Sequence, residues 1–284
     1  MSYTLSDLIN LYRIDPQSPF LELSHGVRVK HDRLLSRIMR DYGSRSLRGI
    51  QARDLLAWHS GWAANGKIEI AHSLISRIRV LARFGATALE DRDCRRLLHS
   101  LGELRFERSP SRKRQMSADQ AEQIRNIARD WFGWPSIAMA QALQFELRMT
   151  QKEVIGEWIP GEEGEPSDLT RRTEQGELKW VAGLQWSSLD DDFVLRLSGK
   201  RTVEVDIKRT VMVMEELAFY ADKPVAYLTR ADLPSKGPMI MNEITARPFS
   251  TAEFRRKWRL VANRAAIPKH VKNMDSGKSS RSSP

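Results

Sequence analysis

Between His31 and about Phe106, apolar residues recur every three or four positions in four short runs, the period of amphipathic helices. In HDRLLSRIMRDY, Leu34, Leu35 and Ile38 share one face, while Arg33, Arg37 and Arg40 follow another at i, i+4 and i+7. ARDLLAWHSGW sets Leu55, Trp58 and Trp62 at helical spacing ahead of the Asn65-Gly66 breaker. The strongest period lies in IEIAHSLISRIRVLARFG. There Leu74, Ile78 and Leu81 form a core stripe, Arg79 and Arg83 stand outside with Arg77 at the flank, and Gly85 is expected to close the helix. DRDCRRLLHSL supplies a fourth helix, so residues 31–104 predict a compact helical domain and residues 1–30 an N-terminal arm.

The pattern then breaks. RFERSPSRKRQ has charges, serines and Pro110 but no apolar face to bury, and residues 105–116 read as a basic linker between domains. Ser117 and Gln120 have the spacing of a capping box, in which each side chain satisfies the other residue's early backbone N–H, and ADQAEQIRNIARDWFG follows as a helix. SIAMAQALQFEL, after Pro135, predicts a helix buried on several sides, and QKEVIGEWI a short helix behind it. Residues 160–179 are polar and rich in breakers, a surface excursion. Beyond them the period changes to two. KWVAGLQW, DFVLRLSG and RTVEVDI predict three strands of a small antiparallel sheet, with a turn at Ser198-Gly199-Lys200, before helices return at VMVMEELAFYA and STAEFRRKWRLVANRAA. The fold class is mainly α with a small antiparallel β-sheet.

Composition narrows the partners. The chain has 284 residues, 41% of them hydrophobic, enough for two cores of ordinary size. One cysteine, Cys94, excludes an internal disulfide framework and Cys-rich metal sites, and no N-terminal leader pattern or long apolar run points to export or a membrane span. A cytoplasmic protein is expected, with no metal or cofactor and no membrane partner. A formal net charge of +10 favours a polyanion; nucleic acid is the commonest, and acidic lipid or RNA satisfies the same number.

Three strings in this order, on either side of a basic linker, resemble the phage-integrase type of tyrosine recombinase. They are SLISRIRVLARFGATALEDRDCRRLL, QALQFELRMTQKEVIGEW and PMIMNEITARPFSTAEFRRKWRLVANRAAIPKHVKNMD. The resemblance implies a helical, SAM-like core-binding domain followed by a catalytic domain over residues 117–276, the two closing around double-stranded DNA, with self-association on the DNA. It also implies a chemistry. A tyrosine attacks a phosphodiester, two arginines hold the nonbridging oxygens, a lysine on a sheet turn protonates the leaving oxygen, and histidines assist, all without metal.

Residue by residue, that machinery is incomplete. The family's first arginine stands three residues before an acidic residue and two aliphatics; with Glu153, Val154 and Ile155 in those places, its position holds Thr150. Arg148, two positions earlier, is the candidate substitute if the turn there is irregular. Lys200 sits on the turn expected of the leaving-group lysine, with Arg201 equally basic beside it. VKNMDS resembles the entry to the helix of the second arginine, but Gly277 stands in that arginine's place and Met274 in that of the histidine before it. The tyrosines, Tyr3, Tyr12, Tyr42, Tyr220 and Tyr227, all precede that point, so the nucleophilic tyrosine is absent. Residues 277–284 read as a disordered tail, and a shifted frame or premature stop is expected to lie behind so abrupt a change.

Asp190, Asp191 and Asp192 read as a solvated turn rather than a Mg²⁺ site, because consecutive carboxylates at a strand entrance diverge. Trp58, Trp62, Trp158 and Trp186 read as core. The reading that results is a DNA-binding relative of DNA-integrating recombinases, truncated and without strand-transfer chemistry, whose DNA contacts are Arg33, Arg37, Arg40, Arg77, Arg79 and Arg83. An active recombinase using Arg148 and an unrecognised tyrosine, and a basic helical DNA-binding regulator, are the alternatives.

Overall fold

A computed structural model of the chain describes residues 3–109, 115–174, 176–197 and 203–278. The chain divides into two compact units, Met1–Arg112 and Lys113–Pro284.

The first unit holds five helices, α1 Leu5–Ile14, α2 His25–Tyr42, α3 Ala52–Ala63, α4 Ile68–Thr87 and α5 Arg92–Glu103. The N-terminal residues are not an arm apart from this unit. Thr4 caps α1, its Oγ1 accepting from the Asp7 amide at 3.2 Å while Asp7 accepts from the Thr4 amide at 2.9 Å. Leu5, Leu8, Ile9 and Tyr12, spaced i, i+3, i+4 and i+7, enter the same core as Leu35, Trp58, Leu74 and Leu97. Burial stabilises each such side chain by roughly 1.5–3 kcal/mol, so α1 belongs to the domain.

Gly85 does not close its helix either; α4 runs on to Thr87. Its role is spacing, because a Cβ there would stand 2.3 Å from Cys94 Sγ, where α5 packs against α4. Burial first, then Asp91 beside it, pushes the Cys94 thiol up to about 12, so it stays protonated and inert. The expected linker also begins later than its composition suggests. Phe106 packs on the first core, with the Arg79 guanidinium 5.9 Å from its ring centroid and the His59 ring at 5.1 Å. Residues 110–114 of that segment lie outside the described residues.

In the second unit, α6 Ala118–Asn126 opens on the expected capping box, Ser117 with Gln120, and winds into a π-helical turn over Ile127–Trp131. Pro135 starts α7, Pro135–Glu146, whose residues from Ile137 to Gln144 are all buried, and this helix is the centre of the second core. The third helix, α8 Gln151–Ile155, is short because Gly156 follows at φ 71° and turns the chain into a strand. α9 Val211–Tyr220 and α10 Thr251–Arg264 complete the helices. A buried ion cluster joins α6 to α9, Arg125 Nε donating to Glu216 Oε1 at 2.6 Å and Arg129 Nη1 to the same oxygen at 2.8 Å.

The strands are distributed differently from expectation. β1 Glu157–Pro160, β2 Thr170–Thr173 and β3 Gly176–Val181 form one antiparallel sheet in the order β1-β3-β2, with Trp158 opposite Trp180. β4 Val194–Leu197 and β5 Val203–Asp206 form a separate hairpin. Most of the first sheet therefore comes from the polar residues 160–179, where an exposed sheet face leaves Thr170 to Thr173 without the apolar alternation that marks a half-buried strand. Asp190 serves the second hairpin, its Oδ1 accepting from the amides of Asp192 at 3.0 Å and Val194 at 2.8 Å.

Candidate functional site

The ends of three elements meet beside α7. After Leu147 the chain takes a left-handed residue, Arg148 at φ 57°, which stops α7 as the residue just past a helix end commonly does. Two residues on, Thr150 caps α8, its Oγ1 accepting from the Glu153 amide at 3.3 Å and its own amide donating to Glu153 Oε2 at 2.6 Å. The Thr150 hydroxyl is thus engaged in the cap.

From the other end of the chain, a 3₁₀ turn over Asn273–Lys278 docks on α7. The docking is polar and buried. Gln144 and Asn273 exchange amide hydrogen bonds at 3.0 and 2.8 Å; Gln141 donates to Ser276 Oγ at 3.1 Å and accepts from Trp258 Nε1 at 2.8 Å. The Met116 amide donates to the Asp275 carbonyl at 3.3 Å, and Asp275 and Ser276 are fully buried. Ordered structure therefore passes the point where the tail was expected to begin, through Gly277 and Lys278. Residues 279–284 lie outside the described residues.

Between these segments and α10 lies a cavity of about 950 Å³. Its wall carries six cationic side chains, Arg148, Lys152, Arg255, Arg259, Lys269 and Lys272, and among the described residues no aspartate or glutamate. Thr150 and Gly277, the positions expected of the two family arginines, both line it. No tyrosine, serine, cysteine or histidine does, among the described residues. Such a wall can hold an oxyanion by charge, but it offers no hydroxyl or thiol nucleophile other than the capped Thr150.

The other sequence-chosen residues are dispersed. Arg148 is in the cavity wall, and the irregular turn it required is present. Lys200 lies outside the described residues, between the paired strands β4 and β5. In the first unit, Arg33, Arg40 and Arg83 are exposed. Arg40 Nε is 3.1 Å from Asp41 Oδ1, and Arg37 Nε is 3.6 Å from Oδ2 of the same carboxylate. Arg77 Nη1 contacts the His31 ring nitrogens at 2.9 Å, and Arg79 Nη2 donates to the Leu101 carbonyl at 2.9 Å. Those two arginines hold helices together. Tyr12 and Tyr42 are packed against aromatic rings, and Tyr220 and Tyr227 are exposed elsewhere.

Sequence reasoning missed Arg255, Arg259, Lys269 and Lys272. The first two stand at i, i+4 on α10, a signal that was available; what places them beside Arg148 is a fold contact across a hundred residues, which no local pattern carries.

Neither a protein-family model nor a curated protein matches the sequence. Solved structures do. A lambda integrase dimer bound to a COC′ core site superposes with a TM-score of 0.65 at 12% identity, over 97% of this chain and 68% of that one. A lambda integrase tetramer bound to a Holliday junction gives 0.65 at 12%, over 98% and 71%. The Tn1549 transposon integrase, residues 82–397, in complex with circular intermediate DNA gives 0.63 at 11%, over 97% and 85%. The chain has the phage-integrase fold. It is mostly helical with small antiparallel sheets, and among the described residues no helix is long and apolar enough to cross a membrane.

Proposed function

We propose that the chain binds duplex DNA and does not break its strands. The observation that carries this reading is the cavity where the two family arginine positions meet: six cations, no carboxylate and no tyrosine among the described residues. The net charge of +10 and the DNA named with the integrases of like fold support it. In this reading the first unit is the core-binding domain, and Arg33, Arg40 and Arg83 are its phosphate contacts. Arg77 and Arg79 act as struts. Copies of the chain associate on DNA in the cytoplasm, as the dimer and tetramer of lambda integrase do on theirs.

The presence of Arg148 in the cavity wall favours one second reading, an active strand-transfer enzyme. One assay separates the two. Duplex DNA is incubated with the chain, and binding is followed against salt while a parallel sample is denatured. DNA binding that weakens with salt, without a denaturant-resistant adduct, is the expected result. An adduct that disappears when one tyrosine becomes Phe establishes the enzyme instead, and absence of salt-sensitive binding removes both readings.

A further inference from the structure

We propose that a cavity at the N-terminal end of α7 binds a small aromatic molecule carrying an amide, whose N–H is donated to Glu216 Oε2. This cavity shares no lining residue with the one beside α10, and the proposal does not rest on the DNA-binding reading.

The first observation is the wall. The cavity has about 370 Å³, towards the lower end of the range of small-molecule sites. Met139, Trp186, Tyr220, Pro238, Met239 and Met241 make most of its lining apolar. Tyr220 is half exposed, and its ring centroid lies 5.1 Å from that of the buried Trp186 at an interplanar angle of 46°, so an aromatic surface runs from the interior to the mouth. Methionine thioethers contact aromatic rings favourably and adapt to their outline, which suits this lining to a flat ring.

Second, two buried polar atoms of lining residues are left over. Glu216 Oε1 accepts from Arg125 Nε at 2.6 Å and from Arg129 Nη1 at 2.8 Å, which fixes the carboxylate. Its Oε2 is buried and has no donor among the described residues. The Ser136 hydroxyl is buried and unpartnered in the same way. Asn242, the other buried polar side chain on the wall, has its amide engaged by Lys257 and Glu253. Water settles in a cavity where it finds two to four polar partners, and a lining with this much apolar surface offers it few.

Third, the wall is already in place. The Trp186 amide donates to the Gly237 carbonyl and the Met239 amide to the Leu184 carbonyl, both at 2.9 Å. The Ser136 amide donates to Glu243 Oε1 at 2.8 Å. The loop 234–246 is thus tied on one side to residues 184–186 and on the other to the first turn of α7, and binding has little left to order.

These features define the ligand. It needs an apolar ring for the methionines and Trp186, a donor for Glu216 Oε2 and an acceptor for the Ser136 hydroxyl. An aromatic primary amide supplies all three, with its NH₂ on the carboxylate and its carbonyl on the serine.

The test uses the full chain and two probes, 2-naphthamide and 2-acetylnaphthalene, with binding followed by calorimetry. The second keeps the rings and the carbonyl and has CH₃ in place of NH₂ at nearly the same size. The amide is expected to bind, and the ketone to bind at least about tenfold more weakly. Met241→Trp fills the cavity and should abolish binding of both, while Ser136→Ala should weaken the amide severalfold. Glu216→Gln keeps an oxygen for the two arginines and presents an amide nitrogen in place of Oε2, so the preference for the amide should vanish. Where Glu216→Gln does not fold, Ser136→Ala and the ketone decide. Arg33→Gln, in the first unit, should bind the amide as the unmodified chain does. No binding by the unmodified chain means a cavity for water alone and overturns the proposal. Equal affinity for the two probes, or undiminished binding in Met241→Trp or Ser136→Ala, overturns it as well.

Discussion

Gly277 lies against the main chain of Arg148: a Cβ built on Gly277 would stand 3.3 Å from the Arg148 carbonyl oxygen. The two positions are separated by most of the second unit in sequence, yet the buried pairs of α7 with residues 273–276 bring them to one cavity wall. An arginine at position 277 would add a seventh cation to that wall. Gly277→Arg should therefore strengthen duplex binding at low salt and steepen the log-log salt slope by up to about 0.9, the value of one more phosphate contact. The Arg148 carbonyl has to give by only a few tenths of an ångström. No covalent adduct should form in this variant, since no tyrosine lines the described wall. An adduct on denaturing gels defeats that account.

The reciprocal amide pair of Gln144 and Asn273 is the clearest test of how firmly the last turn is held. Replacing either residue by Ala leaves a buried amide without its partner, at a cost of about 1–3 kcal/mol. The double replacement should cost clearly less than the sum of the two, because neither orphan remains. Urea unfolding of the four proteins measures the coupling. Strict additivity would mean that the turn is not docked in solution.

Legibility in the sequence followed the reach of each signal. Ser117 and Gln120 were readable because a capping box is local, and the equivalent signal of Thr4 and Asp7 stood in plain view, with Leu5, Leu8, Ile9 and Tyr12 behind it. The helix they start lies inside residues 1–30, which the sequence reading gives as an arm. At Gly156 the helical and strand readings compete within five residues, and only the left-handed φ and the Trp180 Nε1 bond to the Ile155 carbonyl, 2.8 Å, decide for β1. Thr150 and Gly277 were identified by register with a known pattern. The cations that line the same cavity were not, since Lys269 and Lys272 lie in an irregular turn that Arg259 ties down at the Val271 carbonyl.

Gly85 and Cys94 make a second test of packing. Gly85→Ala places a methyl group 2.3 Å from Cys94 Sγ and 3.1 Å from Leu8 Cδ1, in a core with no free volume at that point. Overpacking of this kind costs roughly 1–3 kcal/mol, outweighing the up to about 1 kcal/mol that alanine gains over glycine in a helix. Cys94→Ala in the same chain removes the closer contact and should recover much of the loss. Thermal unfolding of the single and double variants reads this directly, and a stabilised Gly85→Ala would show that α4 and α5 stand further apart.

Asp232 gives the acid limb of stability a specific contributor. Lys223 Nζ lies 2.5 Å from Oδ1, and the Thr229 amide and hydroxyl each donate to Oδ2 at 2.8 Å. These bonds, the Lys223 contact foremost, lower its pKa to about 2. A depressed carboxylate means that the unfolded chain binds the proton more readily than the folded one, so stability falls as the pH drops from the ordinary carboxylate value of about 4 towards 2. Above that window the contribution is constant. Asp232→Asn should therefore lower stability at neutral pH and flatten its decline between about pH 4 and 2, with little difference from the unmodified chain at the acid end. Denaturant midpoints across that range measure it, and parallel curves for the two proteins would exclude Asp232 as a source of the acid dependence.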